Sequence, residues 1–254
     1  MKESDVFLLG GHDLEMQEIT RLLDKQGILY FDRKLHWENA DIRAYLPELE
    51  LYGNQPGVRL YGIELYGKTD TEKYANYVLI DHHNENQGRI ASILQVAEVL
   101  GVVPSRDQFL VAANDTGYIP GMQAMGATPE EIADIRRRDR TAQGVTEADE
   151  QAAREAIARN MEKQGDLLII RALSVRFSPI CDRLWPYRKL LIYTDETLCY
   201  YGEGKDKLTA ALTAGYPQEA FYHGGGHNGF LGTVKGMWNS DEIRKLKAYI
   251  LNTV

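Results

Sequence analysis

Tyr77-Val78-Leu79-Ile80-Asp81-His82-His83-Asn84 is the stretch of this sequence best suited to chemistry. Its apolar run of aromatic and branched residues reads as a short β-strand. That strand delivers an acid and two adjacent imidazoles to its carboxyl end, where open parallel sheets place their ligands. Neutral imidazole binds manganese, iron, cobalt or zinc, and a neighbouring carboxylate neutralises charge and orients the ring. A His-His pair in a loop is also a common polar surface feature, so the metal reading depends on what else the chain supplies.

Other apolar runs supply acids. Val6-Phe7-Leu8-Leu9 reads as a first buried strand and Gly10-Gly11 as the turn that ends it. Met16, Ile19, Leu22 and Leu23 then form the apolar stripe of a helix closed by Gly27. Asp13 and Glu15, with His12 beside them, fall where strand passes to helix. They alternate around Leu14, so both can face one cation; capping of the helix by Asp13 is the plainer alternative. Val58 to Tyr66 alternates as a strand and carries Glu64 near its end. Leu110-Val111-Ala112-Ala113 runs into Asn114-Asp115-Thr116-Gly117, which reads as a polar turn offering a fourth carboxylate, or as an Asx-turn. Finally, Phe221-Tyr222-His223-Gly224-Gly225-Gly226-His227-Asn228-Gly229-Phe230 sets three glycines in a tight turn between two apolar runs. Their backbone N–H groups can cradle an anion, and His227 adds a titratable donor for a phosphate.

The elements needed to position these residues follow from the same patterns. Ile90, Ile93, Leu94, Ala97 and Leu100 mark an amphipathic helix ended by Gly101, so the Asp-His-His stretch belongs to a βα unit. Residues 28 to 57 read as a strand and a helix. Thr128-Pro129-Glu130-Glu131 starts a charged helix, and a second helical stretch runs from about Glu147 to Gln164. Arg136-Arg137-Arg138, embedded among acids, reads as a solvated helix face. Leu167 to Leu173, Lys189 to Tyr193 and Leu198 to Tyr201 are strands of a second α/β segment, with a helix from about Asp206 to Ala214. Gly202-Glu203-Gly204-Lys205 is not a P-loop, because its glycine spacing is wrong and Asp206 replaces the required hydroxyl. The expected architecture is α/β. A doubly wound, mainly parallel domain spans 1–125, a helical linker 126–165, and a smaller C-terminal α/β domain with a mixed sheet 166–254.

Composition narrows the function. At 254 residues and 44% hydrophobic, the chain can build sizeable cores. The apolar run near the N-terminus is too short for a signal or membrane span, so a cytoplasmic protein with no membrane partner is expected. Two cysteines, Cys181 and Cys199, make no disulfide framework and read as buried thiols. A net charge of −8 disfavours long nucleic acid, which needs a basic face to displace counterions, but suits a small anion held locally.

Taken together, Asp13-Leu14-Glu15, Asp81-His82-His83, Asp115-Thr116-Gly117 and Gly224-Gly225-Gly226-His227 resemble the DHH phosphoesterase superfamily. The resemblance spans both halves of the chain. The glycine-histidine loop is similar to the mark of the branch with a DHH-associated C-terminal domain, that of RecJ-like exonucleases and nanoRNase-like enzymes. It implies a site for one or two divalent ions, usually manganese, in the cleft between the domains. Asp13, Glu15, Glu64, His82 and Asp115 would be ligands, with His12 a further candidate. His83 would face the phosphate, Asp81 would orient from behind, and Gly224, Gly225, Gly226, His227 and Asn228 would hold the substrate. The activity implied is hydrolysis of a phosphate ester or anhydride in a small nucleotide, short oligonucleotide or polyphosphate by in-line transfer to water. A homodimer is compatible with this. The chain departs from the family where Leu9 replaces a histidine four residues before the first acid of the motif, and where glutamates replace aspartates at 15 and 64. A degenerate nucleotide or anion sensor of the same fold is therefore the alternative. A zinc amidohydrolase would use similar ligands but gives no reason for the glycine loop.

Overall fold

The computed structural model of the chain describes residues 4–36, 39–67, 70–226 and 228–254. Alternation of apolar side chains gives β1 (Ser4–Leu9) two buried faces. Phe7 and Leu9 pack on one side with Tyr61, Ile63 and Ile80, and Val6 and Leu8 on the other with Leu60. With β2 (Leu29–Asp32), β3 (Val58–Ile63) and β4 (Tyr77–Ile80) it forms a four-stranded sheet, ordered β2-β1-β3-β4 and parallel throughout. All four carboxyl ends therefore lie at one edge, and the connections diverge between β1 and β3, where such sheets bind ligands.

Helices cover both faces, as a doubly wound sheet requires. Helices α1 (Leu14–Gln26), α3 (Ser92–Leu100) and α4 (Arg106–Ala124) bury Met16, Ile19, Ile93, Val96 and Ala112 against the Phe7 side. A 3-10 turn at Ile42–Tyr45 and α2 (Leu46–Tyr52) cover the Leu8 side with Ile42, Tyr45 and Leu49. The Tyr45 hydroxyl donates to the Leu9 carbonyl at 2.6 Å, tying this layer to the end of β1. Leu8 is fully buried, and truncating it to alanine would cost about 2–5 kcal/mol in lost burial and cavity.

Asn114 to Gly117 do not form a turn. They lie inside α4, which is nucleated by the capping box of Ser105 and Gln108 and breaks only at Tyr118, where φ is 54° and ψ −148°. Pro120 then sits at the start of the continuing helix, where its missing N–H costs nothing. The expected solvated face of α5 (Pro129–Ala142) is also corrected, because Arg136 is buried. Arg138 bonds Glu18 of α1 at 2.6 Å and Asp107 of α4 at 2.7 Å, so α5 fastens the two helices that carry Glu15 and Asp115.

The chain divides into two compact units, Met1–Gly144 and Val145–Val254, with α5 in the first and α6 (Glu147–Asn160) in the second. The helix expected to reach Gln164 stops at Asn160. Met161–Gln164 instead pair as edge strand β5 with β6 (Leu167–Arg171), where backbone hydrogen bonds replace those of a further helical turn. The second unit continues with α7 (Ser178–Leu184), β7 (Lys189–Tyr193), β8 (Leu198–Gly202), α8 (Lys205–Gly215), β9 (Phe221–Gly224), β10 (Phe230–Thr233) and α9 (Ser240–Thr253). Its six-stranded sheet, ordered β5-β6-β7-β8-β10-β9, is mixed: among the described residues β6 and β7 pair in parallel and the other neighbours antiparallel. Both cysteines are buried, and neither is in a disulfide. No helix among the described residues is long and apolar enough to cross a membrane.

Candidate metal centre

Four chain segments meet at the carboxyl edge of the parallel sheet. Glu15 comes from the first turn of α1, Glu64 follows β3, His82 and His83 follow β4, and Asp115 projects from α4. His82 Nε2 lies 2.7 Å from Asp115 Oδ2, 3.3 Å from Glu64 Oε1 and 3.5 Å from Glu15 Oε2. His83 Nε2 is 3.5 Å from the same Glu64 oxygen, and the two imidazole rings lie 4.2 Å apart. Glu64, His82, His83 and Asp115 each offer a ligand atom within 4.8 Å of the others, the one such grouping among the described residues.

The backbone is shaped to achieve this. Among the described residues, four other than glycine take a positive φ, and three of them adjoin the cluster: Glu64 (52°), Asn84 (49°) and Tyr118 (54°). Each such residue costs about 1–3 kcal/mol and persists only where its surroundings over-determine it. Gly10 is demanded by close approach: a Cβ there would meet the carbonyl oxygens of Ile63 and Glu64 at 2.4 Å, so any larger residue would push Glu64 away. The loop after β4 is held by Asp81, whose carboxylate accepts from the His83 N–H and the Asn86 side-chain amide, both at 2.9 Å. Gln95 of α3 donates to the Asp81 carbonyl at 3.2 Å from the other side.

Glu15 has a distinct partner. The N-terminus of α3 has no side-chain cap of its own, and Glu15 Oε1 accepts from the Ile93 N–H there at 3.0 Å. The positive end of the helix favours that carboxylate, and its other oxygen is left facing His82.

Negative charge is in surplus. Burial, with the charges of Glu64 and Asp115, pushes Asp13 up to about 8, and burial holds Glu15 well above the ordinary carboxyl range. Burial acts to raise Glu64 as well, but His82 and His83 hold it down at about 2. Burial would depress His82, yet Asp115, Glu15 and Glu64 lift it to about 12, and Glu64 raises His83. The buried atoms Glu15 Oε2, Glu64 Oε1, His82 Nε2 and Asp115 Oδ2 make no hydrogen bond of acceptable geometry despite their proximity. Buried polar atoms are almost always satisfied. Three carboxylate oxygens and one imidazole nitrogen left in this state, facing one another, form a donor set that fits a divalent cation.

The remaining expected residues fall as follows. Asp13 caps α1, accepting from the Met16 N–H at 2.9 Å, and is buried within electrostatic reach of Glu64 and Asp115. His12 is partly buried and is not one of the grouped ligands. In the second unit, Gly224 ends β9 and the turn to β10 runs through Gly225 and Gly226, at φ 70° and 67°, a conformation that side chains disfavour. Asn228 is exposed in the same turn, and His227 lies outside the described residues. Beside this hairpin the sheet carries a chain of aromatic contacts, Trp185–Tyr187, Tyr187–Tyr201, Tyr201–Phe230 and Phe230–Tyr222, with centroids 5.5, 6.3, 6.4 and 6.0 Å apart.

Residue types alone do not single out Gln95, Asn114, Arg136 and Asp139, which surround the cluster. The available signal is position: each lies within a turn or two of a ligand, or on the helix packed against one.

No protein-family model matches the sequence, and no curated protein matches it. Among solved structures, a DHH domain described as a member of the s1p family of ribosomal proteins superposes with a TM-score of 0.57 at 11% identity, covering 98% of this chain and 87% of its own. The fold is that of a DHH domain. A pGpG-specific phosphodiesterase from Vibrio cholerae matches with a TM-score of 0.47 at 12% identity, over 98% of this chain and 99% of that one. RecJ from Thermus thermophilus, solved with Mg2+, matches at 0.41 and 10% identity, over 98% of this chain and 50% of that one. Asp81-His82-His83 stands at the carboxyl end of β4 in this DHH-type sheet.

Proposed function

We propose that the chain is a metal-dependent phosphoesterase of the DHH superfamily that hydrolyses a phosphate ester or anhydride in a small nucleotide-type substrate. The observation that carries this reading is the set of buried, mutually facing donor atoms of Glu15, Glu64, His82 and Asp115 that lack hydrogen-bond partners. These residues would hold the ion, and a set of carboxylates with one imidazole favours manganese. Asp13 is the acid available to a second. When bound, such an ion neutralises phosphate charge and makes water nucleophilic near neutral pH. His83 is more exposed than His82 and stands at the rim of the group, where it can donate to a non-bridging phosphate oxygen or protonate the leaving alkoxide. Asp81 fixes the backbone that presents it. In the second unit, the Gly224–Gly226 turn offers N–H groups to a phosphate, and Tyr222, exposed on β9 beside it, offers a ring on which a base could stack.

Incubation with a 5′-phosphorylated dinucleotide and Mn2+ should release mononucleotide. A dinucleotide left intact with manganese, cobalt and magnesium would sink the enzymatic reading. One observation favours the sensor reading instead. Leu9, at the position of the family's first histidine, is fully buried in the apolar cluster with Phe7 and Met16, so it offers the site nothing. Intact dinucleotide together with tight nucleotide binding would select that alternative.

A further inference from the structure

We infer that Arg136 is the positioning residue that fixes Asp115 in the metal centre by clamping the break in α4. The inference rests on the metal-binding reading and adds a residue that lies outside the cluster.

Asp115 stands three residues before Tyr118, at the end of the first half of α4. The next turn begins with Gly117, whose missing Cβ would touch nothing within 4 Å, so local packing does not stiffen the chain there. Helix ends fray unless something outside holds them. Here Arg136 of α5 grips both sides of Asp115. Its Nη1 donates to Asn114 Oδ1 at 2.9 Å, on the residue just before. Its guanidinium carbon sits 4.5 Å from the centroid of the Tyr118 ring, on the residue whose backbone makes the break. The guanidinium is itself anchored: the same Nη1 donates to Asp139 Oδ2 at 2.6 Å, and Gln143 donates to Asp139 Oδ1 at 3.1 Å. Arg136 is 8% exposed, so these contacts are made away from water.

General adhesion between α4 and α5 does not need this residue. Arg138 with Asp107 and Arg106 with Glu131 already join the two helices at exposed positions, at 2.7 Å each. What Arg136 adds is a planar group that stacks on one flank of Asp115 and bonds the other. Lysine, a point charge on a flexible stem, cannot reproduce that geometry.

The test is Mn2+ binding by calorimetry on the full chain, with the visible spectrum of the Co2+-loaded protein as a second readout. Arg136→Lys should weaken Mn2+ affinity by roughly 10–100-fold, the range for residues that orient metal ligands. It should alter the cobalt spectrum; the metal-free melting temperature should fall somewhat as well, because a buried guanidinium loses partners, so the spectrum is the deciding readout. Asn114→Ala should weaken affinity less, and the double variant should be no worse than Arg136→Lys alone, because both act through one contact. Wild-type affinity and spectrum in Arg136→Lys would overturn the inference. So would weaker binding with an unchanged spectrum and a lowered melting temperature, the signature of a merely structural residue. If the wild-type chain binds no Mn2+, the metal reading itself fails and the inference falls with it.

Discussion

Around His82 the chain withdraws three carboxylates and an imidazole from water and leaves their facing atoms without hydrogen bonds, whereas at the β9–β10 hairpin it strips away side chains and exposes backbone. On the proposed reading, the first region would bind through charged groups on strained but over-determined backbone. The second would do so through the freedom of glycine. Under this proposal the two regions have different tasks: gathering positive charge, which needs fixed anions, and holding a phosphate, which needs N–H groups that no side chain shields. It also gives the two regions different sensitivities. Substitution near His82 should act on the metal, and substitution in the hairpin on the substrate.

The sharpest way to break that division is His82→Ala. His82 Nε2 is the atom common to the three carboxylate contacts, and its loss should lower Mn2+ affinity by more than the roughly 10–100-fold typical of residues that merely orient ligands. Metal content after gel filtration should fall towards zero and turnover with it. Retention of full metal content would show that the cluster is not where the ion binds.

A smaller effect of the opposite kind is expected from Gly225→Val. At φ 70°, a side chain there costs about 1–2 kcal/mol of backbone strain, and its Cβ would approach Gly229 Cα at 2.9 Å. The hairpin should distort, raising KM for the dinucleotide about 10-fold, the equivalent of about 1.4 kcal/mol, while metal content stays at the wild-type level. A fall in metal content would erase the distinction between the regions.

The sequence exposes these regions unequally. Period-2 and period-3.6 patterns locate β1, α1, β3, α3, β7 and β8 because each buries a regular stripe or face. The acids of Asp13, Glu15 and Glu64 are legible because they stand where those patterns change. Asp115 is legible as an acid but not as helical: Asn-Asp-Thr-Gly has turn chemistry, and only the capping box at Ser105 and the packing of Ala112 on the sheet carry the helix through it. Arg136 is hidden for a related reason. Three consecutive arginines among acids look solvated, and burial of the first depends on partners 22 residues earlier in the chain and on the break at Tyr118. Met161 to Gln164 prolong a helical composition, and their conversion to an edge strand depends on pairing with β6.

Glu15 permits the finest test, because two effects oppose each other there. His82 and the N-terminus of α3 favour its charge, the latter by about 0.3–1 kcal/mol, while burial, the largest influence, and the charges of Asp115 and Glu64 disfavour it, and the net direction is upward. Glu15→Gln keeps an oxygen for the Ile93 N–H and removes one negative charge. Without metal the variant should therefore melt higher than the wild type, by about 2–4 °C for each kcal/mol relieved. With saturating Mn2+ the order should reverse, because the lost carboxylate is then a lost ligand. A crossing of the two melting curves with metal is what a centre built at the expense of apo stability requires. Shifts in the same direction with and without Mn2+ would make Glu15 a structural cap for α3 and leave Glu64, His82 and Asp115 to hold the ion.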